Sequence, residues 1–597
     1  MIDRGYHAVV IAPRFEWLLP EPLLDPPAFP GFGRPLATLL ARRGFTDPQQ
    51  LERFLAAGES SLHDPSLMAD AAVALDRIEQ AISAGERIAI WGDYDADGMT
   101  AVAVWVLALR AIGIEPLRHV PSRLADGYGL SIGGLRRLRA AGATLVITCD
   151  CGISNAAEVE QARELGMEVI VTDHHLPSGL LPKAVAVVDP HRADCDYPDP
   201  DLTGAGIAFK LASALLARRG AAAADLAGIA AIGTIADMAP MTGEGRALVR
   251  LGLEELANTT RAGLRALLAR AAEQPLAPTA RDLAFGVAPR INAAGRIADA
   301  ELAISLLLED DAASAEQIAE QLEAVHHERR ALTAAAVDEA RAAVAGLEGD
   351  GPIALRNDAW APGVLGLVAQ RLVDQLARPI AVAGRIGDEL RGSVRAPADF
   401  HVALALEACA PLLSKRGGHP AAGGFSLGIE AWGSFVEAFG ALPRPFPADA
   451  GRMPERAGRI VVDLVLPAAH LGWPLAEQMG RLVPFGPGHA EPMLAVTGLR
   501  VAEARRVGAG ADHVALRMRR GAEVIDAIAF GVPSDRALPE AGADVDLVGT
   551  LERDLYQGMP RLRIRVADFA DAELSPLAAR RRVARSSAAT TEAMAAG

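Results

Sequence analysis

Four short apolar runs each end on an acidic or imidazole residue, and this pattern limits the fold more than any other feature of the 597-residue chain. Arg87-Ile-Ala-Ile-Trp91 runs into Gly92-Asp93-Tyr94-Asp95-Ala96-Asp97-Gly98. Thr144-Leu-Val-Ile-Thr148 leads to Asp150-Cys151-Gly152, Met167 to Thr172 leads to Asp173-His174-His175, and Ala184 to Val188 leads to Asp189-Pro190-His191. Segments with helical character, Met99 to Ile112 and Ser154 to Leu165, lie between the runs. Strands alternating with helices describe a parallel sheet covered on both faces. Ligands of such a sheet bind beyond the carboxyl ends of its strands. All four polar termini are therefore expected at one edge.

Carboxylates crowded at one edge repel each other strongly unless cations lie among them. Oxygen and imidazole donors suit Mn²⁺ or Mg²⁺. Two other readings fit less well. Asp93-x-Asp95-x-Asp97-Gly98 matches the start of an EF-hand loop, but the twelfth position, which needs a bidentate Glu, is Val104, and a strand precedes it. Cys149 and Cys151 with His174 and His175 lack the Cys-x₂₋₄-Cys spacing of a structural zinc site. In a strand the two cysteines also point away from the side of Asp150, so they read as buried, reduced thiols. Asp237, in the otherwise apolar stretch Ile232 to Pro240, is either a helix-capping carboxylate or a further metal ligand.

The formal net charge of −16, from 59 Lys+Arg against 75 Asp+Glu, excludes a surface coated in positive charge for nucleic acid. It leaves room for a local basic channel. Four cysteines are too few for a disulfide-stapled secreted chain of this size. The opening MIDRGYHAVVIAPRFEW lacks a basic region followed by an apolar core, and no uninterrupted apolar stretch reaches about 18 residues. A cytoplasmic protein without a membrane span is expected.

The fold class expected is α/β multidomain. Residues 1–84 read as an N-terminal helical and irregular segment, and 85–305 as the parallel-sheet catalytic domain. Residues 306–348 read as a long connecting helix, because Asp311 to Val344 holds no glycine or proline. A second, smaller α/β domain, 349–448, carries strands at 352–355 and 379–382. Short strands at 459–466, 493–497, 513–518, 523–530 and 561–566 make 455–572 a small antiparallel barrel. The Ala/Arg/Ser/Thr-rich tail, 573–597, is expected to be disordered. Arg517, Arg519 and Arg520 lie along one barrel strand, and Arg561, Arg563 and Arg565 alternate along another and so share a face. That face is either a groove for a single strand, with Tyr556 stacking a base, or a solvated surface.

DYDADG (93–98), PSRLADGYGL (121–130), TCDCGIS (148–154), TDHH (172–175) and IGTIADMAPMTGEGR (232–246) resemble successive motifs of the DHH phosphoesterases. GSVRA (392–396) and KRGGHPAAGGF (415–425) resemble the associated DHHA1 domain, and APRINAAGR (288–296) and PFGPGHAEPM (484–493) resemble the RecJ branch. The resemblance covers about residues 45–570. It implies two divalent metal ions, Mn²⁺ or Mg²⁺. Asp95 would serve one, Asp97, His174 and Asp237 the other, and Asp150 both, with Asp93 in the same acidic turn. His175 would contact the scissile phosphate. Arg123, Arg296, Ser393 and Arg395 would hold the 5′-phosphate or the adjacent backbone, and His419 would face the substrate from the second domain. The barrel would be an OB fold that contacts DNA through Arg517, Arg519, Tyr556, Arg561 and Arg563.

The function implied is a metal-dependent 5′→3′ exonuclease that degrades single-stranded DNA to 5′-mononucleotides in DNA repair and recombination. Single-stranded-DNA-binding protein and a helicase are compatible partners. The rival readings are a DHH phosphodiesterase acting on cyclic dinucleotides or short oligonucleotides, an inorganic pyrophosphatase, and a non-catalytic replication scaffold. The last would be expected to have lost acidic ligands that this chain retains. Three positions depart from the family pattern: Trp91 and Ala361, where a His is common, and His489, where an Asn is usual.

Overall fold

The computed structural model describes residues 11–123, 127–177, 179–347, 349–447, 458–508, 510–521, 523–556, 559–578 and 580. The chain divides into two compact units, one formed by 1–56, 454–485 and 490–597, the other by 57–453 and 486–489.

The larger unit is built on a five-stranded parallel sheet. Its strands are β1 (Ile88–Trp91), β2 (Leu117–His119), β3 (Leu145–Thr148), β4 (Glu168–Thr172) and β5 (Ala186–Val188), in the order β2-β1-β3-β4-β5. Alternation along β1 sends Ile88 and Ile90 into one core and Ala89 and Trp91 into the other. Helices α1 (Ala96–Ala111), α4 (Gly204–Arg218) and α5 (Leu226–Ala236) cover the first face. Helices α2 (Ile132–Ala140) and α3 (Ala156–Glu164) cover the second. Helix α1 is buried from Ala96 to Leu109, which explains why it is apolar on every side. No described helix is long and apolar enough to cross a membrane. The direction of strand addition reverses between β1 and β3, so a crevice opens at their carboxyl ends. The acidic turn after β1 and Asp150 after β3 both emerge there.

Helix α6 (Ala288–Ile297) and the 33-residue α7 (Ala312–Val344) lead to a second sheet. Strand β6 (Ile353–Arg356) is followed by α8 (Leu365–Leu376), β7 (Ile380–Ile386), β8 (Glu389–Arg395), β9 (Lys415–His419) and β10 (Ala422–Gly428). The order is β9-β10-β8-β7-β6, with only β6 and β7 parallel. The two antiparallel hairpins, absent from the expectation, carry Ser393, Arg395 and His419. Their glycines and exposed polar residues make weak strand signals.

The smaller unit is a barrel. Strands β12 (Leu494–Val507), β13 (His513–Arg520), β14 (Glu523–Ala529), β15 (Asp544–Tyr556) and β16 (Met559–Asp571) close in the order β12-β13-β14-β16-β15, and β11 (Leu464–Pro467) adds parallel to β12. One pair in the closed ring, β14 with β16, is parallel. Residues 11–56, expected to continue into 57–84, instead belong to this unit. Glu16–Leu18 pairs with Arg459–Val461, and Leu36, Leu39 and Leu40 enter the barrel core.

Candidate active site

The acidic turn is held from three sides. Asp95 caps α1, accepting from the amides of Asp97 at 3.0 Å and Gly98 at 3.1 Å. Asp97 accepts from the amides of Gly204 at 2.7 Å and Ala205 at 3.0 Å, so the N-terminus of α4 points at a carboxylate. Asn292 of α6 accepts from the amide of Ala96 at 3.0 Å. Asp150 has a left-handed backbone, φ 62°, which turns its side chain into the crevice. Its neighbour must be a glycine, because a Cβ on Gly204 would lie 2.5 Å from Asp150 Cβ.

Asp173 organises the histidines. One of its oxygens accepts from the amides of His174 at 2.8 Å and His175 at 3.2 Å and from His175 Nδ1 at 2.7 Å. The other accepts from the Ile153 amide at 2.9 Å. Tyr128 Oη lies 3.1 Å from the same Nδ1 and 3.3 Å from the Asp150 carbonyl. His191 Nδ1 donates to the His174 carbonyl at 2.6 Å. His174 is thereby aimed so that Nε2 lies 3.0 Å from Asp150, 3.8 Å from Asp237 and 3.9 Å from Asp97. Asp237 ends α5, where a carboxylate opposes the helix dipole, so capping does not account for it.

Asp93, Asp97 and Asp150 are no more than 3% exposed. Burial and then Asp95 push Asp93 well above the carboxylate range and Asp97 to about 7. Burial and then Asp97, Asp95 and Asp93 raise Asp150 far up. Asp237, at the rim, rises to about 8 by loss of water and the charges of Asp97 and Asp95. Burial and then His175 bring His174 down to about 4. His175 goes the other way: burial opposes its charge, but the bond to Asp173 prevails and raises it to about 9. One oxygen of Asp93 is buried without a hydrogen-bond partner, and the buried Asp150 oxygen has only the His174 Nε2 contact at 3.0 Å among the described residues. An orphaned carboxylate oxygen and mutually raised carboxylates are what a site for cations looks like in their absence. Three groups bring ligand atoms within 4.8 Å of one another: Asp93, Asp95 and Asp150; Asp97, His174 and Asp237; and Asp150, His174 and His175.

The second sheet faces this cluster. The His419 ring stacks over His175, with centroids 6.5 Å apart and planes 20° apart. The Arg123 guanidinium lies over the Tyr94 ring at 4.7 Å, and Arg391 donates to the Arg123 carbonyl at 3.0 Å. Arg395 Nη2 and Ser393 Oγ lie 2.9 and 3.6 Å from where a Cβ on Gly366 would stand, in the first turn of α8. Arg296 donates to the Gly363 carbonyl at 3.3 Å, just before that turn. Arg296, Ser393 and Arg395 thus stand around the start of α8, and Arg123 is near enough for its charge to act on Arg296 and Arg395.

Family models match in the order of the structure: the DHH family N-terminal domain over residues 87–234, the DHHA1 domain over 342–442 and the RecJ OB domain over 462–568. The chain is 34% identical over 545 residues to the single-stranded-DNA-specific exonuclease RecJ of Bacillus subtilis, covering 90% of this chain and 68% of that protein. It is 35% identical to the protein of the same name from Dickeya dadantii, covering 88% of this chain and 93% of the relative. This chain belongs to the RecJ family. The crystal structure of RecJ from Thermus thermophilus in complex with Mn²⁺ superposes with a TM-score of 0.76 at 30% identity, over 94% of this chain and 80% of that one.

The departures from the RecJ pattern resolve differently. Trp91 is fully buried in the core beneath α2 and α3, against Gly134 and His119, and offers no ligand. Ala361 precedes the turn Pro362–Val364 that leads into α8. His489 is buried at the end of a tight turn closed by two backbone bonds to Gly486, and Pro487 accepts from the Met241 amide at 2.7 Å. This turn therefore braces the loop that follows Asp237.

The barrel arginines share a face as expected, but that face is not a free cationic surface. Arg561 pairs with Asp554 at 2.6 Å and Asp526 at 2.9 Å, Arg563 with Glu552 at 3.1 Å and Asp554 at 3.2 Å, and Arg565 with Glu552 and Glu491. Arg517 is exposed, with Glu503 and Asp526 both 3.9 Å away, and Arg519 is exposed. The acids that neutralise Arg561 and Arg563 sit on β14 and β15. The side chain of Tyr556 lies outside the described residues, as do 579 and 581–597 of the tail. Sequence reasoning placed Asp173 and His191 at the sheet edge without a specific role and did not single out Tyr128 or Asn292. The two His that follow Asp173 were a usable signal, whereas Asn292 is legible only once α6 is seen against the acidic turn.

Proposed function

We propose that this chain is a divalent-metal-dependent exonuclease that removes 5′-mononucleotides from the 5′ end of single-stranded DNA, serving DNA repair and recombination. The observation that carries the reading is the cluster of buried Asp93, Asp97 and Asp150 around His174, with an Asp93 oxygen that has no partner and carboxylates that raise one another. Asp95 with Asp150, and Asp97 with His174 and Asp237, would each hold an Mn²⁺ or Mg²⁺ ion, Asp150 being common to both. Bound there, the cations supply Lewis-acid chemistry for an in-line displacement at phosphorus.

The protein groups do the remaining work. Ionised Asp173 only accepts, so His175 Nδ1 carries the proton of their 2.7 Å bond and Nε2–H is left to donate to the scissile phosphate. A His175 that stays charged at neutral pH stabilises the negative charge that builds on that phosphate. His419 bounds the substrate from the second sheet. Arg123, Arg296, Ser393 and Arg395, with the N-terminal amides of α8, would grip the terminal 5′-phosphate and set the polarity. The departing group is then the 3′-oxygen of the terminal nucleotide, and the product keeps its 5′-phosphate.

A cytoplasmic location is supported by four cysteines that are all free. Single-stranded-DNA-binding protein and a helicase complete the reading as partners, since both act where single strands are exposed. Replacing Asp150 with alanine tests the reading. The variant should fold and bind DNA but lose hydrolysis in Mn²⁺ by more than about 100-fold, because even groups outside a ligand set cost 10–100-fold. Near-normal turnover would refute it.

A further inference from the structure

The start of α8 gathers more positive charge than one terminal phosphate needs. Helices α7 and α8 lie side by side. Leu332, Ala336 and Ala340 of α7 pack with Val364, just before α8, and with Val368 and Leu372 of α8, and Arg341 Nε bonds Gln375 at 2.8 Å. Arg329 is one turn before Leu332 on the same stripe of α7, at the level where α8 begins. Among the described residues its buried Nε has no hydrogen-bond partner, and its Nη2 bonds His326 Nδ1 at 3.4 Å. Arg296 approaches the same turn through Gly363, and Arg395 and Ser393 through Gly366.

Among the described residues, none of Arg123, Arg296, Arg329 and Arg395 has a carboxylate within ion-pair distance, in a chain of net charge −16. Arg290, also on α6, is by contrast held by both oxygens of Glu323. The crowding is felt at Arg296, which falls to about 9, first by burial and then by the charges of Arg123, Arg329 and Arg395. A terminal phosphate brings about −1.5 to −2. Roughly two positive charges then remain uncompensated beside a helix N-terminus, where anions are favoured.

We propose that Arg329 forms a second phosphate subsite beside the one built by Arg123, Arg296, Ser393, Arg395 and the first turn of α8. This rests on the reading of that first pocket as the seat of the 5′-phosphate. The second phosphate has two chemical sources: a further phosphate on a 5′-di- or triphosphorylated end, or a backbone phosphate one or two nucleotides in.

The test is equilibrium binding of 3′-fluorescent single strands in chelator, where nothing is hydrolysed. The strands carry a 5′-hydroxyl, a 5′-phosphate, a 5′-triphosphate, or a 5′-phosphate with a methylphosphonate at the first or second linkage. Arg329→Gln should weaken binding of the 5′-phosphorylated strand about tenfold or more and lower the salt slope by about one. Arg329→Lys should recover most of the loss. A terminal source is identified if the wild type prefers the triphosphate and Arg329→Gln does not. A backbone source is identified if a methylphosphonate weakens the wild type but not the Gln variant. A Gln variant that melts like the wild type and binds every strand with wild-type affinity and salt slope overturns the proposal. Should that variant melt low, a wild type indifferent to both the triphosphate and the methylphosphonates overturns it equally. A wild type that does not distinguish a 5′-phosphate from a 5′-hydroxyl overturns the first pocket and the proposal with it. Failure of the exonuclease reading would appear instead as absent hydrolysis in Mn²⁺, with these binding differences intact.

Discussion

Replacing Gly204 with alanine would place a methyl carbon 2.5 Å from Asp150 Cβ and 2.9 Å from its Cα. Carbon atoms rest at about 3.5–4.0 Å, so α4 and Asp150 must separate by about 1 Å. Asp150 cannot yield easily, because its backbone is already left-handed and its amide is bonded to the Thr172 carbonyl at 3.1 Å. The helix must therefore move, carrying the Gly204 and Ala205 amides away from Asp97. Two effects follow. Overpacking of this kind costs about 1–3 kcal/mol, or roughly 2–10 °C of Tm in a domain of this size. A 1 Å displacement within a catalytic constellation costs about 100-fold in rate. The assay is single-strand degradation at saturating Mn²⁺ beside a melting curve. Gly433→Ala, in a helix with open space around the new methyl, serves as a control and should be neutral or slightly stabilising. Gly204→Ala activity within threefold of wild type at an unchanged Tm would refute the close-packing argument.

Metal-free protein should lose stability as pH rises from about 5 to 8. Asp97 at about 7 and Asp237 at about 8 keep protons in the folded state that the unfolded chain has already released, so stability falls with pH through that window. His174, lowered to about 4, opposes this below about 6.5 but is one group against several. Melting curves with and without Mn²⁺ check it, since the metal should flatten or reverse the slope and an identical slope would contradict it. Asp173→Asn should cost about 100-fold or more in turnover by removing the negative charge that keeps His175 protonated, although an amide oxygen can still accept from Nδ1. Wild-type turnover would remove His175 from the mechanism. Arg561→Gln should destabilise the barrel unit by about 1–3 kcal/mol, because it strips a partner from Asp554 and Asp526, while leaving the salt dependence of DNA binding nearly unchanged. A drop of about one in the salt slope would mean that Arg561 meets phosphate after all.

The parallel sheet and its metal-binding edge were legible because they depend on local signals. Strand β1 alternates between two cores, and β3, β4 and β5 each run into an acidic or imidazole group at the same edge, whereas the three-residue β2 was not among the strands expected. Helix α7 was legible because nothing in Asp311 to Val344 breaks a helix. Strand β15, Asp544–Tyr556, was not. It carries Asp544, Asp546, Glu552 and Asp554, and a register shift at Val548 and Gly549 interrupts its alternation. Missing that strand also hid the carboxylates opposite Arg561 and Arg563, so a neutralised ladder read as a basic face. The pairing of Glu16–Leu18 with Arg459–Val461 joins residues more than 400 positions apart, which no local pattern encodes.

The most direct test of the central claim is digestion of single strands labelled at the 5′ or the 3′ end, with Mn²⁺ and with chelator, beside a matched duplex. The account predicts that the 5′ label is released at once as a mononucleotide, that the 3′ label stays on progressively shorter strands, and that duplex and chelator both suppress the reaction. Release from the 3′ end first, or hydrolysis that persists in chelator, would contradict it.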